Sequence, residues 1–237
     1  MLVETRTKNS LSLEELAQDT SKLGKVWEKL TGDSCPFHYN FHLHTNCSDG
    51  QLTPELLIQQ AISIGLKGLA ITDHHETKGF WRACQYLEQQ QASAQGKLLL
   101  PHLWTGIEIT SVLNGTNVHI LGYGFDPQNE SLQKYLTGKS PKGKLALAKN
   151  VINTLHQAGA LVVLAHPFRY RRSAQELIPE AFALGIDGIE AYYGYGNTKP
   201  WIPSSERTLI AKQLAKKYDL YSTCGTDTHG SNILFRV

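Results

Sequence analysis

From about residue 37 onward, apolar and polar positions come in alternating blocks. Short apolar runs at 68–72, 160–165, 188–191 and 220–224 predict buried strands, and segments at 41–44, 104–110 and 118–121 fit the same pattern. Amphipathic stretches lie between them. The clearest covers 53–65, with Thr53 as N-cap, Pro54 at the first helical position, Glu55 in the first turn, an apolar stripe of Leu57, Ile58, Ala61 and Ile62, and Gly65 as the stop. Further helices are predicted over 79–95, 131–136, 144–158, 174–184 and 204–218. Strands alternating with helices predict an α/β fold with a mostly parallel sheet or barrel. Residues 1–34 form a separate helical extension, where Leu13, Leu16, Ala17, Leu23, Val26 and Leu30 keep a period near 3.6, and 35–237 form the main domain.

Composition narrows the picture modestly. The 237 residues are 41% hydrophobic and 19% charged, which suits a globular chain with a sizeable core. The formal net charge of +2 offers no strongly basic surface for duplex DNA. Cys35, Cys47, Cys84 and Cys224 form no C-x-x-C pair and are expected as free thiols in a reducing compartment. Charges interrupt every apolar stretch, so neither a signal peptide nor a membrane span is expected, and the predicted location is cytoplasmic. The composition says nothing about oligomeric state.

The candidate chemistry follows the predicted strands. His42 and His44 are two apart in a strand, so both imidazoles project to one side. His74, Glu108, His119, His166 and the pair Asp227 and His229 are read as following apolar strands, and Asp49 closes the turn after His44. In parallel α/β folds the strand carboxyl ends share one face, so residues distant in sequence converge there. Imidazole and carboxylate without thiolate suit Mn²⁺, Zn²⁺ or Fe²⁺ and argue against a structural zinc finger. Nine donors exceed the needs of one ion and point to two or three, with Glu108 as the bridging carboxylate. His38, His102 and His156 fall outside the pattern and are assigned to structure.

The ordered segments FHLHTNCSDG, ITDHH, GIEIT, VHILGYG, LAHPFRYRR and CGTDTHG resemble the polymerase-and-histidinol-phosphatase (PHP) family over about 37–230. The similarity is to its branch of nucleoside 3′,5′-bisphosphate phosphatases and 5′-to-3′ exoribonucleases. The resemblance implies a distorted seven-stranded β/α barrel with a trinuclear metal site. It assigns His42, His44, Glu108 and Asp227 to one ion, Asp49, His74 and His229 to a second, and Glu108, His119 and His166 to a third. Two departures stand out. Only 46 residues separate His119 from His166, where this branch often carries an inserted domain, and the familiar TDHD reads TDHHE, with His75 in place of an acid.

The expected reaction is hydrolysis of a phosphate ester of a nucleotide or short RNA by a metal-bridging hydroxide. Asp73, Arg169 and His229 are the candidate catalytic residues, with Asp73 orienting a ligand or water. Arg169, Tyr170 and Arg171 are the candidate substrate contacts, since a guanidinium fork matches a phosphate and a tyrosine can stack or hydrogen-bond. The Lys-rich stretch 139–149 reads as an exposed loop leading into a helix. The alternatives are a histidinol-phosphatase-like enzyme, an amidohydrolase, and a non-catalytic metal-stabilised module. No membrane partner is expected.

Overall fold

The computed structural model describes residues 12–93 and 98–237. Part of the extension, residues 1–11, and the end of the helix expected over 79–95 lie outside the described residues. The helix predicted across 12–30 is two helices, α1 (Leu13–Ala17) and α2 (Thr20–Trp27). Ser12 caps the first with a capping box and Asp19 caps the second, so the break falls where an acid satisfies a new set of free N–H groups. Leu23 and Trp27 are fully buried in the main core, and Trp27 meets Phe41 and Tyr123 edge-on at 5.9 and 5.3 Å. Truncating a side chain packed this way typically costs about 3–5 kcal/mol.

β1 (Tyr39–Asn40), β2 (Gly68–Ala70) and β3 (His102–Trp104) form a parallel three-stranded sheet, with α3 (Pro54–Ile64) and α4 (Lys78–Ser93) as its connections. The predicted caps of α3 are in place: the Thr53 side chain accepts from the Leu56 N–H, and Gly65 ends the helix at φ 77°, a left-handed conformation that glycine adopts without strain. The second sheet has five strands in the order β4 (Gly106–Leu113), β5 (Thr116–Tyr123), β6 (Leu161–Leu164), β7 (Gly188–Tyr192) and β8 (Tyr221–Cys224). α5 (Ala148–Gln157), α6 (Ala174–Ala183) and α7 (Ser205–Lys217) connect its later strands. Between β5 and α5 the chain makes only two short 3-10 turns, Glu130–Tyr135 and Gly143–Ala146.

The fold is therefore mixed α/β. It is not a uniform seven-stranded barrel: the described residues form sheets of three and five strands, and β5 runs antiparallel to both its neighbours. The run predicted as one strand at 104–110 is divided between β3 and β4, one in each sheet. The 41–44 strand is extended but not a regular ladder member. Its backbone ties the two sheets together: Phe41 N–H donates to the Cys224 carbonyl at 3.1 Å, Asp227 N–H to that of His42 at 2.9 Å, His44 N–H to that of Thr228 at 3.1 Å, and Thr72 N–H to that of Leu43 at 2.8 Å. Any β-carbon on Gly225 would run into His42, so that approach requires glycine. On the opposite side His75 N–H donates to the Glu108 carbonyl and Glu108 N–H to that of Asp73.

Candidate metal centre

Three devices bring the predicted donors together. His42 and His44 sit on the stitched segment, facing 227–229 across the hydrogen bonds just described. His74 and His166 follow β2 and β6, at the strand ends. Glu108 and His119 differ from expectation. They lie inside the antiparallel pair β4 and β5, where Glu108 is opposite Leu121 and Thr110 opposite His119. Glu108 and His119 are thus diagonal neighbours on one face, and the pleat delivers them. Among the described residues, three of the six non-glycine residues with positive φ lie at the site: His75, His166 and Asp227, at 55°, 26° and 54°.

The distances define a continuous cluster. Glu108 Oε2 lies 3.1 Å from both His42 Nε2 and His44 Nε2, and Asp227 Oδ1 lies 3.4 and 3.2 Å from the same two nitrogens. Asp49 Oδ2 is 3.3 Å from His229 Nε2 and 3.6 Å from His74 Nε2. Glu108 Oε1 is 2.7 Å from His119 Nδ1 and 3.3 Å from His166 Nε2. Three groups have donor atoms within 4.8 Å of one another: His42, His44, Glu108 and Asp227; His44, Asp49, His74 and His229; and His74, Glu108 and His119. His74 completes the third group, while His166 approaches it through Glu108 alone.

These residues fit metal ions. Both ring nitrogens of His44 and of His166, and Nδ1 of His74, are buried without a hydrogen-bond partner, a state that polar atoms seldom tolerate. Two ligands bonded at 2.0–2.2 Å to one ion are roughly 3.0–3.4 Å apart, close to the spacings found here. The outer nitrogens set the tautomers. His42 Nδ1 faces Glu190 Oε1 at 3.0 Å and His229 Nδ1 faces its neighbour Asp227's carbonyl at 2.8 Å, so each keeps a proton on Nδ1 and, in the neutral form that binds a metal, turns a lone pair at Nε2 inward. That arrangement suits His229 as a ligand rather than a proton donor.

The charges are arranged to match. Burial pulls the imidazoles of His42 and His44 down, but facing carboxylates outweigh it. Glu108, Glu190 and Asp227 raise His42 well above its ordinary value, and Asp227 and Glu108 raise His44 to about 9. Burial also pushes the Glu108 and Asp227 carboxyls up, yet His42 and the other surrounding imidazoles hold both well below the carboxylate range. His74 is lowered to about 4, chiefly by burial, and His166 is lowered for the same reason.

Other predicted residues take more specific positions. Asp73 is buried under the 45–49 turn, accepting from Thr45 N–H, Thr45 Oγ1 and Ser48 Oγ at 2.7 Å each. It anchors the loop that carries Asp49. Arg169 donates from Nη1 to Asp227 Oδ2 at 2.7 Å and to Tyr193 Oη at 3.1 Å, with its side chain 39% exposed. Tyr170 does not present its hydroxyl to the site: it donates to the Ala165 carbonyl at 3.0 Å and accepts from His119 N–H at 2.8 Å, so it braces β5 against β6. Arg172 is paired bidentately with Glu180, whereas Arg171 is exposed and lines a 630 Å³ cavity with Arg169 and the β4–β5 hairpin residues Asn114 and Asn117. His102 and His156 are structural, bonded to the Leu16 carbonyl and to Asp187.

Three supporting contacts escape sequence reasoning. Glu190, 1% exposed, accepts the His166 N–H at 2.9 Å in addition to facing His42. Tyr193 and Arg236 join Arg169 on Asp227 Oδ2 at 2.7 and 2.9 Å. A carboxylate in the apolar run GIEAY was the available signal for Glu190. Nothing in the sequence marked Arg236.

A mixed α/β frame that converges so many imidazole and carboxylate donors is that of a metal-dependent hydrolase. Residues 40–181 match the PHP domain, and the chain belongs to that family of metal-dependent phosphoesterases. A 5′-3′ exoribonuclease from Haemophilus influenzae is 25% identical over 261 residues, covering 81% of this chain and 89% of the relative. A 3′,5′-nucleoside bisphosphate phosphatase from Chromobacterium violaceum is 32% identical over 120 residues, covering 51% of this chain and 39% of the relative. Among solved structures, a metal-dependent phosphoesterase from Bifidobacterium adolescentis superposes with TM-score 0.65 at 25% identity, covering 83% of this chain and 89% of its own. Among the described residues no helix is long and apolar enough to cross a membrane.

Proposed function

We propose that this phosphoesterase acts on a nucleotide or on the 5′ end of short RNA. Its donors, on this reading, hold two or three divalent ions of the Mn²⁺, Zn²⁺ or Fe²⁺ kind. The observation that carries the reading is the set of buried, unpartnered nitrogens of His44 and His166 turned toward Glu108, Asp227 and Asp49. His42, His44, Glu108 and Asp227 would hold one ion, and Asp49, His74 and His229 a second. Glu108, with His119 and with His74 or His166, would hold a third. Ions bound there would supply Lewis acidity and a water acidified toward neutral pH. The protein's own groups do the positioning. Asp73 holds the 45–49 turn in place, and Glu190 fixes the His42 tautomer. Arg169, held on Asp227 by one nitrogen, keeps the rest of its fork for an anionic ester, and Arg171 adds a second cation at the rim. The names of the exoribonuclease and bisphosphate phosphatase relatives support nucleotides as the substrate class. The hydrogen bonds linking the two sheets through 41–44 and at Glu108 support reading them as a distorted barrel around the site.

The test is purified protein with Mn²⁺, offered a nucleoside 3′,5′-bisphosphate, 5′-phosphorylated short RNA, histidinol phosphate and a cyclic amide. Phosphate or nucleotide release from either of the first two is the expected result. Turnover of the amide alone, or a preparation that binds no transition ion, would overturn the reading.

A further inference from the structure

Resting on that reading, we infer that segment 137–144 is a substrate-discriminating wall of the cleft, fastened by His75, whose Lys139 and Lys142 engage a second phosphate of the substrate. A cleft of about 390 Å³ opens at the cluster, lined by Asp49, His74, Thr110, His119, Gly138 and Ser140. One side of it is therefore metal-ligand chemistry and the other is this segment. The attachment is specific. Gly138 N–H donates to the His75 carbonyl at 2.9 Å, and His75 Nε2 lies 3.3 Å from Ser140 Oγ and 3.2 Å from Thr110 Oγ1. One imidazole thus links the segment to β4, and its residue holds a left-handed φ of 55° to do so.

The charge on this wall is uncommitted. Among the described residues, Lys and Arg ion pairs involve Lys78, Arg82, Arg169, Arg172 and Arg236, so Lys139, Lys142 and Lys144 have none. All three are exposed, and Lys139 sits between the two residues that line the cleft. Arg169 and Arg171 line a different cavity, of 630 Å³, which shares no residue with this cleft. On this reading Arg169 would serve the ester being cleaved, and the exposed lysines of the segment that carries Gly138 and Ser140 would serve a second anion. A monoester with one phosphate has nothing to place there. A nucleoside bisphosphate or the next phosphodiester of an RNA does.

The test compares kinetics on p-nitrophenyl phosphate, a nucleoside 3′,5′-bisphosphate and a 5′-phosphorylated tetranucleotide. K139A/K142A should raise KM about tenfold on at least one of the last two, leave kcat within twofold, and leave the aryl ester unaffected. K139R/K142R should recover the loss. On the tetranucleotide the logarithmic salt dependence of KM should be shallower in the alanine variant, by roughly 0.7 or less per lost phosphate contact to a single strand. S140A, which loosens the wall from His75, should raise KM in the same substrate-selective way with kcat kept. The nucleotide affected tells whether the second phosphate belongs to a mononucleotide or a chain. Equal loss on all three substrates, or none on either nucleotide, overturns the inference. A native enzyme that cleaves the aryl ester but neither nucleotide overturns the substrate class itself, a separable result.

Discussion

Replacing Glu190 tests how the site sets its ligands. The carboxylate accepts from the backbone N–H of His166 at 2.9 Å and faces His42 Nδ1 at 3.0 Å, with 1% of the residue exposed. Glu190→Gln keeps the shape but has one acceptor oxygen for two donors. If that oxygen stays on His166, the new NH₂ faces His42 Nδ1, which must become the acceptor. The His42 proton then moves to Nε2, the nitrogen that faces Glu108 and Asp227, and blocks it as a ligand. Loss of an outer hydrogen bond of this kind typically weakens metal binding 10- to 100-fold, or about 1.4–2.7 kcal/mol. Glu190→Ala removes both interactions and also leaves the His166 N–H buried and unpaired, for a further cost of about 1–3 kcal/mol. In a chain of this size that is roughly 2–12 °C in Tm. Chelator competition with Mn²⁺ or Zn²⁺ measures the first effect and thermal melting of metal-free protein the second. A glutamine variant that binds metal within twofold of the native protein would refute the tautomer argument.

Other outcomes follow from the same geometry. Asp227→Asn should abolish turnover and lower metal content while far-UV circular dichroism stays near native; retained activity would contradict its place in the cluster. Because His44 is raised to about 9 and a ligating imidazole must be neutral, metal loading at pH 7 should release protons, seen as a dependence of calorimetric heat on the buffer's ionisation enthalpy. The same shift makes the proton on His44 stabilising in the metal-free fold. That contribution is complete below pH 6.5 and disappears as pH rises through 9, so the Tm of chelated protein should fall across this range more than that of loaded protein. Glu108 and Asp227, both depressed, contribute in the opposite sense: their stabilisation is present above their ordinary values and is lost on acidification. Gly79→Ala should destabilise by about 1–3 kcal/mol, since a β-carbon would press on Asp73 Oδ2 and Thr45 Oγ1 beneath the Asp49 loop; a melting curve like that of the native protein would show the turn is freer than it looks.

The sequence by itself determined the elements with strong local signals. The capped helix from Thr53 to Gly65, the apolar runs that became β6, β7 and β8, and the His-x-His and Asp-x-His pairs all depend on neighbours within a few residues. Local chemistry also identified the candidate donors, because histidine and carboxylate after apolar runs stand out against their surroundings. Only the tertiary structure decided the sheet division, since the split between β3 and β4 and the antiparallel sense of β5 depend on pairing with distant strands. It also decided which donors share a group, engaged the Tyr170 hydroxyl in bracing β5 against β6, and revealed Glu190, Tyr193 and Arg236 as the holders of His42 and Asp227. A side chain's identity is written locally, but its partner is chosen by how the chain closes in space, and Arg236 reaches Asp227 in the same turn that Arg169 reaches from 58 residues away.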